Sequence, residues 1–267
     1  MKIDNFKIDK SSKTFIIAEL SANHNGDINI AIETIKAAKR AGADCIKLQT
    51  YTPDTITIDS NNEDFIIKNT IWKGKKLFDL YKEAQTPWEW HSLLFEEAEK
   101  QGLICFSSPF DKTAVDFLET LNVPAYKIAS FEITDIPLIE YVASKNKPII
   151  ISTGIANIED IELAVAACKR FGNQEIVLLK CTSSYPAPIE EANLSMIKDL
   201  ADRFNVISGL SDHTLGSTVP ILAVAFGAKI IEKHFIIDRS IGGPDASFSM
   251  NEEEFTEMVK AIRQAER

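Results

Sequence analysis

The sequence predicts an α/β fold, specifically a (β/α)8 barrel. Three observations carry this reading. Short apolar runs rich in β-branched residues alternate with longer amphipathic stretches. Several of those stretches end in glycine just before the next run. The chain length, 267 residues, suits eight such units in one domain.

The runs fall at 15–20 (FIIAEL), 44–50 (DCIKLQT), 103–108 (LICFSS), 125–130 (AYKIAS), 148–153 (PIIIST), 176–182 (IVLLKCT), 206–211 (VISGLS) and 229–235 (KIIEKHF). Continuous apolar strands separated by helices are parallel strands covered on both faces. Gly42, Gly102, Gly172 and Gly227 mark helix ends. No G-x-G-x-x-G follows the first run, which counts against an open dinucleotide-binding sheet. One connection is long. Residues 51–102 hold two helical patterns and a polar stretch, and an insertion of this kind above a barrel suits a substrate-covering loop. Residues 54–64 read equally well as plain surface.

Composition narrows the class. With 45% hydrophobic and 25% charged residues the chain is expected to fold as an ordinary globular protein. A net charge of −10 argues against nucleic acid or an anionic membrane as a partner. The N-terminus has no apolar signal region, and no stretch is long enough to span a bilayer. Cys45, Cys105, Cys168 and Cys181 form no C-x-x-C pair and three sit in strand-like runs, so a reducing cytoplasm is expected.

In such a barrel chemistry belongs at the C-terminal ends of the strands. Those ends carry Glu19; Lys47 and Gln49; Ser107 and Ser108; Lys127, Ser130 and Glu132; Ser152 and Thr153; Lys180, Thr182 and Ser183; Ser211, Asp212 and His213; and Glu232 and His234. A lone Ser or Thr there commonly caps a helix. Lys47, Lys127 and Lys180 inside buried strands are harder to explain structurally, and as a set ringed by hydroxyls they suit an anion bearing phosphate and carboxylate. Of the four histidines, His24 falls in a loop and His91 reads as structural. His213 and His234 close neighbouring strands and are candidates to share one divalent cation with open positions, Mn²⁺ and Mg²⁺ both being compatible. Glu232 lies two residues before His234, on the same face of its strand, and Lys233 is expected to point the other way.

The motifs AELSANHNG, GADCIKLQTY, CFSSPF, PAYKIASFE, ISTG, KCTSSYP, GLSDHT and EKHF occur in this order, one per strand. They resemble those of the sialic acid synthases across essentially the whole chain. IKLQTYTPDTIT, EDFIIK, TPWEWHS and CFSSPFD look most like the pseudaminic acid branch, with the N-acetylneuraminic and legionaminic branches as alternatives. The resemblance implies a metal-dependent condensation of phosphoenolpyruvate with an amino sugar, giving a nine-carbon 2-keto acid and phosphate. It implies that His213 and His234 ligate the metal, Mn²⁺ first and Mg²⁺ or Co²⁺ as alternatives. It assigns phosphoenolpyruvate to Lys47, Ser108, Lys127, Ser130, Ser152, Ser183 and Ser211. Gln49, Tyr185 and Asp245 would face the sugar together with Glu19, while Glu19, Glu132 and Glu232 would serve as catalytic carboxylates.

Members of that family usually carry a small antifreeze-like domain after the barrel, swapped across a homodimer. This chain stops at AIRQAER, so 1–267 is expected to be the catalytic barrel alone. A barrel that binds phosphoenolpyruvate and metal but turns over weakly is the further alternative. A heptulosonate-type synthase would need a second basic cluster for a phosphorylated sugar, which the sequence lacks. A Schiff-base aldolase would use Lys127 or Lys180 as the nucleophile.

Overall fold

A computed structural model describes residues 1–267. Eight parallel strands close into a barrel: β1 Phe15–Glu19, β2 Cys45–Thr50, β3 Ile104–Pro109, β4 Tyr126–Ile128, β5 Ile149–Ser152, β6 Ile176–Cys181, β7 Ile207–Asp212 and β8 Ile230–His234. They pair in chain order, and β8 pairs with β1 to complete the ring. Each lies within two residues of the run that predicts it. The (β/α)8 fold is therefore the observed one.

Eight helices surround the strands: α1 Ile28–Arg40, α2 His91–Lys100, α3 Lys112–Thr120, α4 Ile136–Ala143, α5 Ile158–Arg170, α6 Ser195–Phe204, α7 Thr218–Ala225 and α8 Glu252–Ala265. Their starts are chemically marked. Asp27 accepts from the Asn29 amide, and Asn157 with Asp160, and Asn251 with Glu254, form reciprocal capping boxes. Gly42, Gly102, Gly172 and Gly227 all take positive φ after their helices, where a side chain would be strained.

Alternation along the strands sorts side chains into two environments. Helix-facing residues such as Ile16, Ile46 and Ile231, or Ile128, Ile151 and Leu178, pack under the helices. Inward-facing residues such as Phe15, Ile17, Phe106, Val177 and Ile230 fill the lower barrel. The sequence reading missed one element here. Lys2–Ile3 and Phe6–Lys7 form a short antiparallel pair, and Ile3 and Ile8 are fully buried against that lower core. The N-terminal segment thus plugs the bottom of the barrel.

His91 is structural as expected, its Nε2 lying 2.8 Å from Thr50 Oγ1. All four cysteines are free and buried. No helix is long and apolar enough to cross a membrane.

Candidate active site

The upper half of the barrel interior is polar because the same inward positions that carry apolar groups below carry charged ones above. Strand register sets neighbours side by side: Glu19 beside Lys47, Ser211 beside Glu232, and His234 beside Glu19. Lys47 Nζ sits 3.0 Å from Glu19 Oε2 and 3.1 Å from Glu232 Oε2, with all three side chains at most 6% exposed. Lys127 Nζ donates to Ser152 Oγ at 2.7 Å and lies 3.8 Å from Glu232 Oε1. Ser211 Oγ donates to the same Glu232 oxygen at 3.0 Å. Two ammonium groups and two carboxylates therefore alternate in one dry cluster.

Burial acts differently on each member. It pushes the Glu19 carboxyl up, and Lys47 only partly offsets that effect. Burial also acts to raise Glu232, but Lys127 and Lys47 outweigh it and hold the group below the usual carboxylate range. Burial lowers the Lys127 amine. Glu132, in the turn after β4, is pushed up to about 7 by burial, with Lys127 close enough to oppose that shift.

Beside the charged cluster lies a small hydroxyl cradle. Ser183 Oγ donates to Ser130 Oγ at 2.9 Å, and Ser108 Oγ is buried with no partner. Gly154 closes the cradle. A methyl there would overlap Ser183 Oγ and lie 2.5 Å from Ser130 Oγ, so only glycine leaves the space open.

The rings of His213 and His234 stand 5.5 Å apart, centroid to centroid. His213 Nδ1 is 2.9 Å from the Thr182 carbonyl, which makes it the donor and leaves Nε2 with a lone pair. His234 Nδ1 is buried with no hydrogen-bond partner and 3.8 Å from Asp245 Oδ2. Burial, and then the neighbouring His213, hold His234 well below the ordinary histidine range, so it is neutral. Burial acts to lower His213, but the Cys181 side chain, and then the Thr182 carbonyl and Asp212, raise its imidazole, so a cation would have to displace a proton there; with that, the facing rings fit a divalent cation. No set of three or more His, Cys, Asp or Glu side chains converges as a closed cage, so further ligands would have to be water or substrate oxygens.

Gln49 Nε2 donates to Glu19 Oε1 at 2.9 Å and to Ser21 Oγ at 3.0 Å, and Ser21 in turn donates to Asp245. The Tyr185 ring packs tilted against His213 at 4.3 Å, and Phe248 lies 5.0 Å from His234. Of the strand-end polar residues named from the sequence, Ser107, Asp212 and the lysine of β6 face the helices rather than this mouth, Ser107 bonded to Thr50 and Asp212 to Lys233. Lys180 shares the helix-facing side of its strand with Leu178. Its amine donates to the Cys181 carbonyl at 2.7 Å and to Thr182 Oγ1 at 2.9 Å. That corrects the three-lysine reading to two, and removes Lys180 as a carbonyl nucleophile. Cys181, one residue on, faces inward instead, 3.9 Å from His213 Nδ1. Lys233 points outward as expected and is bonded to Asp212 and the Thr214 carbonyl.

Ser21, Gly154 and Trp72 also belong to the mouth and escaped the sequence reading. The Ser21–Gln49 and Ser21–Asp245 bonds are visible only after folding, whereas ISTG could have flagged Gly154 as a strand-end glycine. A surface cavity of about 930 Å³ lies at the opposite end of the barrel and includes Phe6, Lys39, Glu99 and Pro124. Its lysines are already engaged, Lys39 on the Gly102 carbonyl and Lys147 on Glu119, and it does not contain the charged cluster.

Comparison with known proteins agrees with this geometry. Residues 34–267 match the model of the NeuB family. A pseudaminic acid synthase of Campylobacter jejuni is 53% identical over 266 residues, spanning all of this chain and 77% of the relative. An N,N'-diacetyllegionaminic acid synthase of Legionella pneumophila is 43% identical, spanning 99% of this chain and 76% of the relative. The crystal structure of an N-acetylneuraminic acid synthetase from Leptospira borgpetersenii, bound to citrate, superposes with a TM-score of 0.90 at 34% identity. It matches all of this chain and 88% of that one. By the match of most of its length and by identity over all of it, the chain belongs to the NeuB family, that of the sialic acid synthases.

Proposed function

We infer that this protein is an enzyme that condenses phosphoenolpyruvate with 2,4-diacetamido-2,4,6-trideoxy-altrose, the reaction of a pseudaminic acid synthase, in a reducing cytoplasm. The observation that carries the reading is the 53% identity to a pseudaminic acid synthase along the entire chain, against 43% to a legionaminic acid synthase. The buried arrangement of Lys47, Lys127, the serines and the paired histidines supplies the chemistry that such a reaction needs.

Lys47 and Lys127 would neutralise the carboxylate and phosphate of phosphoenolpyruvate, with Ser108, Ser130, Ser152, Ser183 and Ser211 as hydroxyl partners. Gln49, Tyr185 and Asp245 would orient the open-chain sugar. His213 and His234 would hold the divalent ion, Mn²⁺ by preference, which would supply Lewis acidity at the sugar aldehyde. C3 of phosphoenolpyruvate attacks the aldehyde carbon, and positive charge develops at C2. Water adds at C2, and the C2–O bond breaks to release phosphate. Glu19 and Glu132, both raised by burial toward neutrality, suit the uptake and return of protons. Glu232 stays ionised between the two lysines and orients them.

The test is turnover. Purified protein with phosphoenolpyruvate, Mn²⁺ and the altrose derivative should release phosphate and form a nine-carbon keto acid. Release with N-acetylmannosamine and none with the altrose derivative would overturn the subtype.

The hydroxyl cradle yields a separate expectation. Gly154→Ala should raise KM for phosphoenolpyruvate roughly 10- to 100-fold, the equivalent of about 1–3 kcal/mol of overpacking. KM for the sugar should stay within about twofold, since the methyl meets Ser130, Ser183 and Cys181 Sγ and none of the residues assigned to the sugar. Equal KM for phosphoenolpyruvate in both proteins would remove the cradle from the anion site.

A further inference from the structure

The long connection after β2 sends a strap across the mouth. Ile66 and Lys76 form an isolated antiparallel bridge. Within it the Ile67 amide donates to the Lys75 carbonyl at 2.9 Å, and the Gly74 amide donates to the Ile67 carbonyl at 2.8 Å. At the tip, Trp72 is half-buried while Ile71 beside it is 51% exposed. Trp72 Nε1 donates to the Pro244 carbonyl at 2.9 Å, in the loop after β8. The strap therefore reaches from one side of the barrel to a loop far along the chain.

The Trp72 ring lies 5.9 Å from that of Tyr185 and 6.4 Å from that of Phe248. Those two rings are the ones packed on His213 and His234. Tyr185 and Phe248 thus stand against the paired imidazoles and Trp72 packs behind them, forming an aromatic wall on a site whose other walls are charged or hydroxylic. The single polar atom of Trp72 is already committed to Pro244, so its ring face offers nothing to a hydroxyl. A hydroxymethyl group pressed there would lose water without gaining a partner, whereas a methyl group would not.

Resting on the proposed function, we propose that Trp72 is a specificity-determining residue. It forms the apolar wall of the sugar subsite and favours N-acylated deoxy sugars, which present methyl groups, over sugars that present a hydroxymethyl group.

The test compares wild-type protein with Trp72→Ala and Trp72→Phe on the diacetamido-trideoxy-altrose and on N-acetylmannosamine. In Trp72→Ala, KM for the altrose derivative should rise about 10- to 100-fold, the discrimination a contact of this kind supplies. KM for phosphoenolpyruvate should stay within about twofold, and the kcat/KM ratio between the two sugars should fall at least about tenfold. Trp72→Phe keeps a ring without the Nε1 anchor and should recover most of the discrimination. An unchanged sugar ratio in Trp72→Ala overturns the proposal. So does a rise in KM for phosphoenolpyruvate in step with that for the sugar, because the strap would then only brace the barrel. The functional reading fails separately, on the wild-type protein, if that protein ignores the altrose derivative.

Discussion

His213→Ala should lose its bound divalent ion and about a thousandfold in turnover, the equivalent of about 4 kcal/mol of barrier. The expectation follows from the geometry of two imidazoles alone. His213 is turned by the Thr182 carbonyl so that Nε2 is free, and His234 faces it with an unpartnered Nδ1 in a dry setting. With no third side chain of metal-binding type converging, nothing remains to compensate for the missing ring. Metal content by mass spectrometry and calorimetric titration with Mn²⁺ check the ligand assignment without any assay of turnover. A variant that retained the ion at wild-type affinity would show that the pair does not hold it. Because the ring is buried beside Tyr185 rather than in the hydrophobic core, the melting temperature should move by only a few degrees.

Lys47→Met should be as damaging to activity and worse for stability. The ammonium lies about 3 Å from two carboxylates that are themselves buried, at 3.0 Å and 3.1 Å. Removing it leaves Glu19 buried with no cation beside it and Glu232 with Lys127 alone, 3.8 Å away, and breaking a buried pair in this way costs about 3–5 kcal/mol. For a chain of this size the melting temperature should fall by roughly 5–15 °C. Calorimetric binding of phosphoenolpyruvate should vanish as well. Lys47→Met combined with Glu19→Gln should recover part of the stability, by removing the stranded charge, and none of the binding. A single variant that melts at the wild-type temperature would mean that Glu19 and Glu232 do not depend on Lys47.

Much of this was legible before folding, for reasons that particular residues make plain. The eight strands announce themselves because a strand covered on both faces must be apolar along its length, as in PIIIST or IVLLKCT. The same two-residue period places Lys233 outside and His234 inside. Applied to β6 it also turns Lys180 outward, since Cys181 and Leu179 are the inward residues there. The N-terminal plug was illegible for a different reason. MKIDNFKIDK looks polar, and Ile3 and Ile8 acquire meaning only when the open bottom of a barrel receives them. Ser21, Gly154 and Trp72 depend on contacts between distant parts of the chain. Local pattern contains no sign that a tryptophan in a surface insertion will bond to the Pro244 carbonyl.

The N-terminal plug has a kinetic consequence. A barrel stoppered at one end is a blind well, and everything that enters must leave by the way it came. Lys127 and Ser152 sit deep, at 1% and 2% exposure, while Trp72 and Tyr185 stand toward the rim. If the anion takes the deep position and the sugar the outer one, as proposed, phosphoenolpyruvate would load before the sugar covers it. The freed phosphate would then lie beneath the new nine-carbon acid and depart last. Traffic through such a site would be a stack rather than a channel, closed below by the packed inward core and the N-terminal plug together.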